Sequence, residues 1–119
     1  MNDGPSSALQ EFLDRHLPLP GVAAWAARFP DRTMANLCYS DWFVPQQIEQ
    51  ILSRLALATD NLTQHGLQPV RLCWTFEHAR IYLALRPDGS SLALFVENRS
   101  GAPTDGVEAL LEEYSAMHG

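Results

Sequence analysis

The sequence has no lysine: its eight basic residues are all arginines, set against 14 acidic residues, and the formal net charge is −6. The absence of lysine excludes a Walker-type phosphate lysine, a Schiff-base lysine and a kinase-type ATP lysine. The sequence also has no glycine-rich phosphate loop. We therefore expect that the chain neither binds nor hydrolyses nucleotide by itself.

Clustered positive charge is also missing, because the arginines are spread from Arg15 to Arg99. Nucleic acid and anionic lipid both bind to such clusters. The excess of acidic over basic residues therefore predicts no nucleic-acid partner. No segment approaches the roughly 18 consecutive apolar residues that cross a bilayer, and the polar, acidic N-terminus has no signal-peptide pattern. We expect a cytoplasmic protein with no membrane insertion.

Cysteine and histidine are few and widely spaced. Neither Cys38 nor Cys73 has a CxxC partner, and both stand in apolar runs, which predicts two buried thiols in a reducing compartment. The four histidines fall on different predicted elements, without the spacing that metal ligands need. No nucleophile elbow surrounds the serines of "PDGSS". The sequence therefore predicts a protein that is not an enzyme, with no catalytic residue, no metal and no cofactor.

A chain of 119 residues, 46% of them apolar and 18% charged, fits one packed domain spanning residues 1–119. Helical periodicity and capping patterns predict a first helix from about Ser7 and a last helix from about Asp105. Between them, a long helix is predicted from about Pro45 to His65, because Pro is favoured in a first helical turn. Gly66 fits the left-handed position that follows a helix.

Strand patterns fill the two intervals between these helices. In the first interval a Pro-Asp turn joins "VAAWAARF" and "TMANLCYS", which predicts a hairpin. Alanine is a poor strand former, so a short helix over the first of these segments remains the alternative. Trp42, just before the long helix, fits either the core or an exposed contact.

The second interval predicts a meander of three strands, with a "RPDGS" hairpin turn between the last two. Both faces of these strands carry apolar residues, so the sheet needs cover on both sides. The strands are "VRLCWTF", "RIYLALR" and "SLALFVEN". We expect five of their residues to be buried: Leu72, Trp74, Leu83, Leu94 and Val96.

The long helix has two faces of different character. Its core stripe consists of Ile48, Ile51, Leu52, Leu55, Thr59 and Leu62. The opposite face, called the far face below, consists of Gln50, Ser53, Leu57, Asn61 and Gln64. A helix face exposed on a monomer usually carries charges, whereas a contact patch is depleted of charge and keeps an apolar anchor. We therefore predict that the far face is covered by another molecule, although a single exposed leucine is also compatible with an ordinary surface.

At this point the sequence resembles the roadblock / dynein light chain family, over about residues 7–117. "LPGVAAWAARFPDR", with Gly21 and Val22, resembles the opening strand and hairpin of the family. "IEQILSRLALATDNL" resembles its central helix, and "RIYLALRPDGSSLALFVEN" its hydrophobic hairpin before the final helix.

The resemblance implies an α+β fold: a profilin-like three-layer α/β/α sandwich with a five-stranded antiparallel sheet, in the order α-β-β-α-β-β-β-α. The central helix would cover one face of the sheet, and the terminal helices would cover the other. The sequence departs from the family pattern in its first hairpin turn, "FPDRT", which lacks glycine, and in its alanine-rich first strand.

The resemblance also implies a function, because family members usually form homodimers through the central helix and an adjacent sheet edge. They act as scaffolds or regulators of Ras-like GTPases, or as motor-complex light chains, and not as enzymes. We therefore expect a cytoplasmic, dimeric adaptor that regulates or positions a small Ras-like GTPase. In a homodimer Leu57 would lie near the twofold axis, and the far face would meet a second copy.

Two other interpretations stay open. The first is a small acidic, dimeric secretion-type chaperone, although that class groups three strands before its long helix. The second is a ligand-sensing module of profilin or PAS-like architecture, which would need an internal pocket.

Overall fold

The computed structural model describes residues 4–17, 21–31, 33–39, 43–87, 89–97 and 104–116, with the backbone alone for residues 4–8 and 104–105. The elements are α1 (Gly4–His16), β1 (Val22–Arg28), β2 (Met34–Cys38), α2 (Pro45–Gln64), β3 (Arg71–Thr75), β4 (Ala79–Leu85), β5 (Ser91–Glu97) and α3 (Thr104–Ala116). Their order confirms the prediction. The terminal helices begin earlier than their predicted caps near Ser7 and Asp105, and Trp42 lies outside the described residues.

All five strands form one antiparallel sheet, as the resemblance implies, and their order in the sheet is β2-β1-β5-β4-β3. The alanine-rich segment is a strand and not a short helix, because it pairs with β2 on one side and with β5 on the other. Ala24 and Ala27 have no exposed surface. Burial between neighbouring strands therefore outweighs the poor intrinsic strand propensity of alanine.

A β-bulge interrupts β1 near its start, between Val22 and Ala24. Val22 is opposite Val96, and Ala24 is opposite Phe95, so one extra residue stands on β1. The carbonyl of that residue, Ala23, accepts a hydrogen bond of 2.7 Å from the backbone N–H of Tyr39. The bulge allows Val22 to join the core on the α1 and α3 side, whereas Ala24 packs on the α2 side.

The sheet separates two hydrophobic cores, as its two apolar faces require. One core joins α1 and α3 to the sheet; its strand residues are Val22, Trp25, Ala27, Tyr82, Ala84, Leu92, Leu94 and Val96. The other core joins α2 to the opposite face; its strand residues are Ala24, Ala26, Ile81, Leu83, Ala93 and Phe95. The three-layer arrangement that the sequence predicts is therefore confirmed.

The first hairpin turns without glycine because Asp31 supplies the turn hydrogen bonds. Its carboxylate accepts bonds from the backbone N–H of Thr33 at 3.0 Å and from the Thr33 hydroxyl at 2.6 Å. These bonds hold the pKa of Asp31 below its ordinary value, the hydroxyl bond having the largest effect. In "RPDGS", Gly89 has a φ of 93° and its N–H donates to the Arg86 carbonyl at 3.0 Å, as expected for that turn.

The end of α2 follows the predicted pattern. Gly66 has a φ of 84°, and its N–H donates to the Thr63 carbonyl at 3.0 Å. The N–H of Leu67 reaches back to the Leu62 carbonyl, also at 3.0 Å. These two bonds are the Schellman motif, which satisfies carbonyls that have no partner inside the helix.

Burial on β3 differs from the prediction. Leu83, Leu94 and Val96 are buried as expected, but Leu72 and Trp74 are only half-buried. The reason is their position on an edge strand, because α2 makes its closest backbone approach to β1 and β2 on the other half of the sheet.

The prediction of two buried thiols is wrong, because both cysteines lie on edge strands of the sheet. Cys73 is exposed on the β3 edge strand, and Cys38, on the opposite edge strand β2, is half-buried. The partial burial raises the pKa of the Cys38 thiol.

We predict that Leu94→Ala destabilises the protein strongly, because Leu94 is fully buried on the central strand. The expected loss in the free energy of unfolding is about 2–5 kcal/mol, since the neighbouring side chains cannot collapse into the space. Chemical denaturation monitored by circular dichroism measures it. Leu67→Ala is the control: Leu67 is 60% exposed, so its loss should stay within about 0.5 kcal/mol. Equal losses would contradict the proposed core.

Candidate interaction surface

The far face of α2 lies on the outside of the molecule. All five of its residues are exposed, and Leu57 has 70% of its surface accessible. They span about 21 Å along the helix, at a rise of about 1.5 Å per residue. The structure thus places the sequence-predicted residues Gln50, Ser53, Leu57, Asn61 and Gln64 along one exposed strip.

Three of these residues border a shallow hollow beside β2. Its volume is about 600 Å³, and it is lined by Met34 from the start of β2 and by six residues of α2: Gln46, Glu49, Gln50, Ser53, Arg54 and Leu57. Met34 is 38% exposed, so the hollow brings two accessible apolar side chains onto one surface. Asn61 and Gln64 do not line the hollow and continue the far face toward the end of the helix.

The opposite side of α2 explains why the far face must point outward. Ile48, Leu52, Leu55 and Thr59 are buried against the sheet. The Thr59 hydroxyl donates to the Ala56 carbonyl at 2.8 Å, so this buried polar group is satisfied. Two other residues of the predicted core stripe, Ile51 and Leu62, are only half-buried, because they lie on the flank of the helix.

That flank borders an apolar cleft that the sequence did not predict, called the aromatic cleft below. It lies between the start of α2 and the β3–β4 hairpin, opens to the surface and has a volume of about 490 Å³. Its lining consists of Phe43, Ile51, Phe76, Glu77, His78, Ala79 and Ile81. The Phe43 ring also meets the Phe95 ring edge-on, with centroids 5.2 Å apart, which fixes one wall against β5.

Two histidines lie beside glutamates. His78 Nε2 lies 2.9 Å from Glu77 Oε1, and His16 Nε2 lies 3.6 Å from Glu113 Oε1. His65 Nδ1 lies 2.9 Å from the backbone carbonyl of its own helix at residue 61. Across the part of the chain that the structure describes, which excludes His118, no three His, Cys, Asp or Glu side chains come together as metal ligands would.

Among the described residues, none of the helices combines the length and the apolar character that a bilayer crossing requires.

The strand order, the two cores and the helix layers together define a profilin-like α/β/α sandwich. More specifically, the chain has a roadblock-like domain, since its structure matches that of MglB over nearly its whole length. No family model and no curated protein sequence matches the chain.

Three solved MglB structures illustrate the likeness. MglB of Myxococcus xanthus is 8% identical, with a TM-score of 0.68 over 97% of this chain and 90% of that one. The gliding protein MglB of Thermus thermophilus is 16% identical, with a TM-score of 0.70 over 98% and 89%. MglB in a tetrameric arrangement is 14% identical, with a TM-score of 0.70 over 98% and 88%. At these identities the likeness establishes the fold alone.

Proposed function

We propose that the chain is a non-catalytic, dimeric adaptor that regulates or positions a small Ras-like GTPase. The observation that carries the proposal is the far face of α2, where Leu57 is 70% exposed among uncharged polar residues on the longest helix of a roadblock-like domain. The resemblance of the sequence to roadblock proteins supports the GTPase as partner. MglB, which has the same fold, has been observed in a tetrameric arrangement, and this supports self-association.

The far face is the proposed contact between two copies. In a twofold arrangement the same surface is used on both copies, so each apolar contact is made twice. Burial of one leucine contributes roughly 1.5–3 kcal/mol. Met34, which shares the hollow with Leu57, adds a second apolar group to each side of the contact. The Gln, Ser and Asn side chains of the far face are uncharged, so their desolvation costs less than that of ionised groups. Glu49 and Arg54, which also line the hollow, carry opposite charges.

We predict that Leu57→Glu converts a dimer into a folded monomer. The substitution removes two leucine contacts and places two carboxylates in a poorly hydrated contact. A penalty of about 4 kcal/mol weakens association about a thousandfold, since each 1.4 kcal/mol corresponds to a factor of ten. Sedimentation velocity at micromolar concentration measures the change, and circular dichroism confirms that the fold is retained.

Two variants make the result specific to the far face. Leu67→Glu changes a leucine of similar exposure, 60%, that follows α2 and lies off the far face, and it should remain dimeric. Phe76→Ser removes the more exposed of the two phenylalanine rings of the aromatic cleft. If the Leu57→Glu variant stays dimeric and the Phe76→Ser variant dissociates, the contact between the two copies lies at the aromatic cleft. If the wild-type protein is monomeric, the proposed contact does not exist.

We predict no nucleotide binding by the isolated protein, because the chain has no lysine and no phosphate loop. Isothermal titration calorimetry with GTP and with ATP should give no heat of binding at micromolar protein concentration. Micromolar affinity for either nucleotide would overturn this prediction.

We predict that the protein, used as bait in lysate of its native organism, retains a small GTPase in a nucleotide-dependent manner. The lysate is supplemented in parallel with GDP and with a non-hydrolysable GTP analogue, and the retained proteins are identified by mass spectrometry. A GTPase enriched by one nucleotide over the other supports the proposal. Retention of secreted proteins without any GTPase would favour the secretion-type chaperone instead.

A further inference from the structure

A cavity of about 190 Å³ lies between the second half of α2 and the sheet, and it is more enclosed than the aromatic cleft. α2 contributes a stripe at helical spacing that includes Leu52, Ala56 and Thr59, and none of the far-face residues lines the cavity. The sheet contributes the ends of β1 and β4 and the start of β5. Pockets for drug-sized ligands measure about 300–1,000 Å³, so the size of this cavity fits a small metabolite.

The floor of the cavity contains a row of three residues on neighbouring strands. Ser91 on β5 is paired with Arg28 on β1 and with Leu85 on β4. All three residues line the cavity. Because neighbouring strands lie about 4.8 Å apart, the row places a guanidinium-bearing, a hydroxyl-bearing and an alkyl side chain side by side over about 10 Å.

Two polar side chains of this row have no protein partner in the described part of the chain. Ser91 is only 5% exposed, and its hydroxyl makes no hydrogen bond to any described residue. A hydroxyl buried to this degree usually has a partner. Arg28 is half-buried and forms no ion pair with any described carboxylate. A guanidinium group and a hydroxyl on adjacent strands are both donors, and together they fit one carboxylate.

The second arginine at the cavity, Arg86, is engaged on the opposite side of the sheet. Its guanidinium group lies over the Tyr114 ring, 5.4 Å from the centroid, and Tyr114 belongs to the core under α1 and α3. Arg28 therefore supplies the positive charge of the cavity.

The roof of the cavity, formed by α2, favours a cation. Asp60 lines the cavity and forms no ion pair with Arg28 or with any other described residue. The Thr59 and Thr63 hydroxyls donate to carbonyls of their own helix, at 2.8 and 3.1 Å, so their oxygens are left as acceptors. Thr63 lies in the last turn of α2, which has no basic side chain, and the carbonyl end of a helix favours positive charge.

We propose that this cavity binds a small aliphatic amino acid as a zwitterion. Its carboxylate accepts hydrogen bonds from Arg28 and Ser91, and its ammonium group donates to Asp60 and to the Thr63 hydroxyl oxygen. The aliphatic part lies against three leucines that line the cavity, Leu52, Leu83 and Leu85. A simple carboxylate would be repelled by Asp60, and a simple amine would be repelled by Arg28. The site does not rest on the proposed adaptor function.

The test is NMR titration of the full protein with two probes, L-leucine and δ-aminovalerate, which carry their two charges at one end and at opposite ends. We expect saturable shifts around the cavity with at least one of them. Isocaproate and valerate lack the amino group, and isoamylamine and pentylamine lack the carboxylate. These analogues should bind roughly tenfold more weakly, because each loses a charged hydrogen-bonding group. No saturation by either probe at millimolar concentration, or equal binding of the singly charged analogues, overturns the proposal.

The Asp60→Asn variant tests the cationic end of the ligand. It removes the charge that attracts the ammonium group and repels a simple carboxylate. The affinity for the amino acid should fall roughly tenfold, while isocaproate and valerate should bind more tightly than they bind to wild type. If Asp60→Asn leaves the affinity for the amino acid unchanged, or weakens amino acids and simple carboxylates equally, the proposal is wrong.

Two variants test the carboxylate end. Ser91→Ala should weaken binding roughly tenfold without lowering the melting temperature of the ligand-free protein, because the lost hydroxyl has no partner there. Arg28→Gln should weaken binding at least as much, with the fold retained by circular dichroism. Arg15→Gln is the matched control, because Arg15 is exposed on α1, across the sheet from the cavity. Unchanged binding by Ser91→Ala and Arg28→Gln, or an equal loss in Arg15→Gln, contradicts the assignment.

Discussion

A sheet that is apolar on both faces is the constraint on which the rest of the structure depends. Its central strand β5 is buried on both sides, with Leu94 in one core and Phe95 in the other. Such a sheet is stable in water only when helices lie on both faces. The chain meets this requirement with α2 on one side and with the pair α1 and α3 on the other.

The cover on the α2 side is incomplete, because one helix is narrower than five strands. α2 approaches the sheet most closely over β1 and β2. The alanines of β1 leave room for the helix backbone there, while β3 and the β3–β4 hairpin extend beyond it. The aromatic cleft and the half-buried Trp74 result from this offset.

Periodicity in the sequence predicted the helices and strands, their order and the need for cover on both faces of the sheet, because burial on both sides leaves a local pattern. The three-layer sandwich itself was implied by the family resemblance. Leu83 and Leu94 alternate with residues that face the other core, and the stripe of α2 repeats at helical spacing. The exposure of Leu72 and Trp74 could not be predicted in this way, since alternation does not tell which strand stands at the edge. The aromatic cleft joins Phe43 to Phe76, which are far apart in the chain, and no local pattern records that contact. The exposure of Leu57 followed from the helical period, but that period does not identify the surface that the proposed contact at the far face would involve.

The bulge in β1 affects how this chain can be compared with other sequences. In an uninterrupted strand Val22 would share a face with Ala24, yet the two residues belong to different cores. The positions before residue 23 are therefore out of register with those after it. A relative with a regular first strand aligns correctly with this chain only if one position near residue 23 is left unmatched. An alignment without that gap would match residues of one hydrophobic core with residues of the other. At sequence identities as low as 8–16% such an error would pass unnoticed.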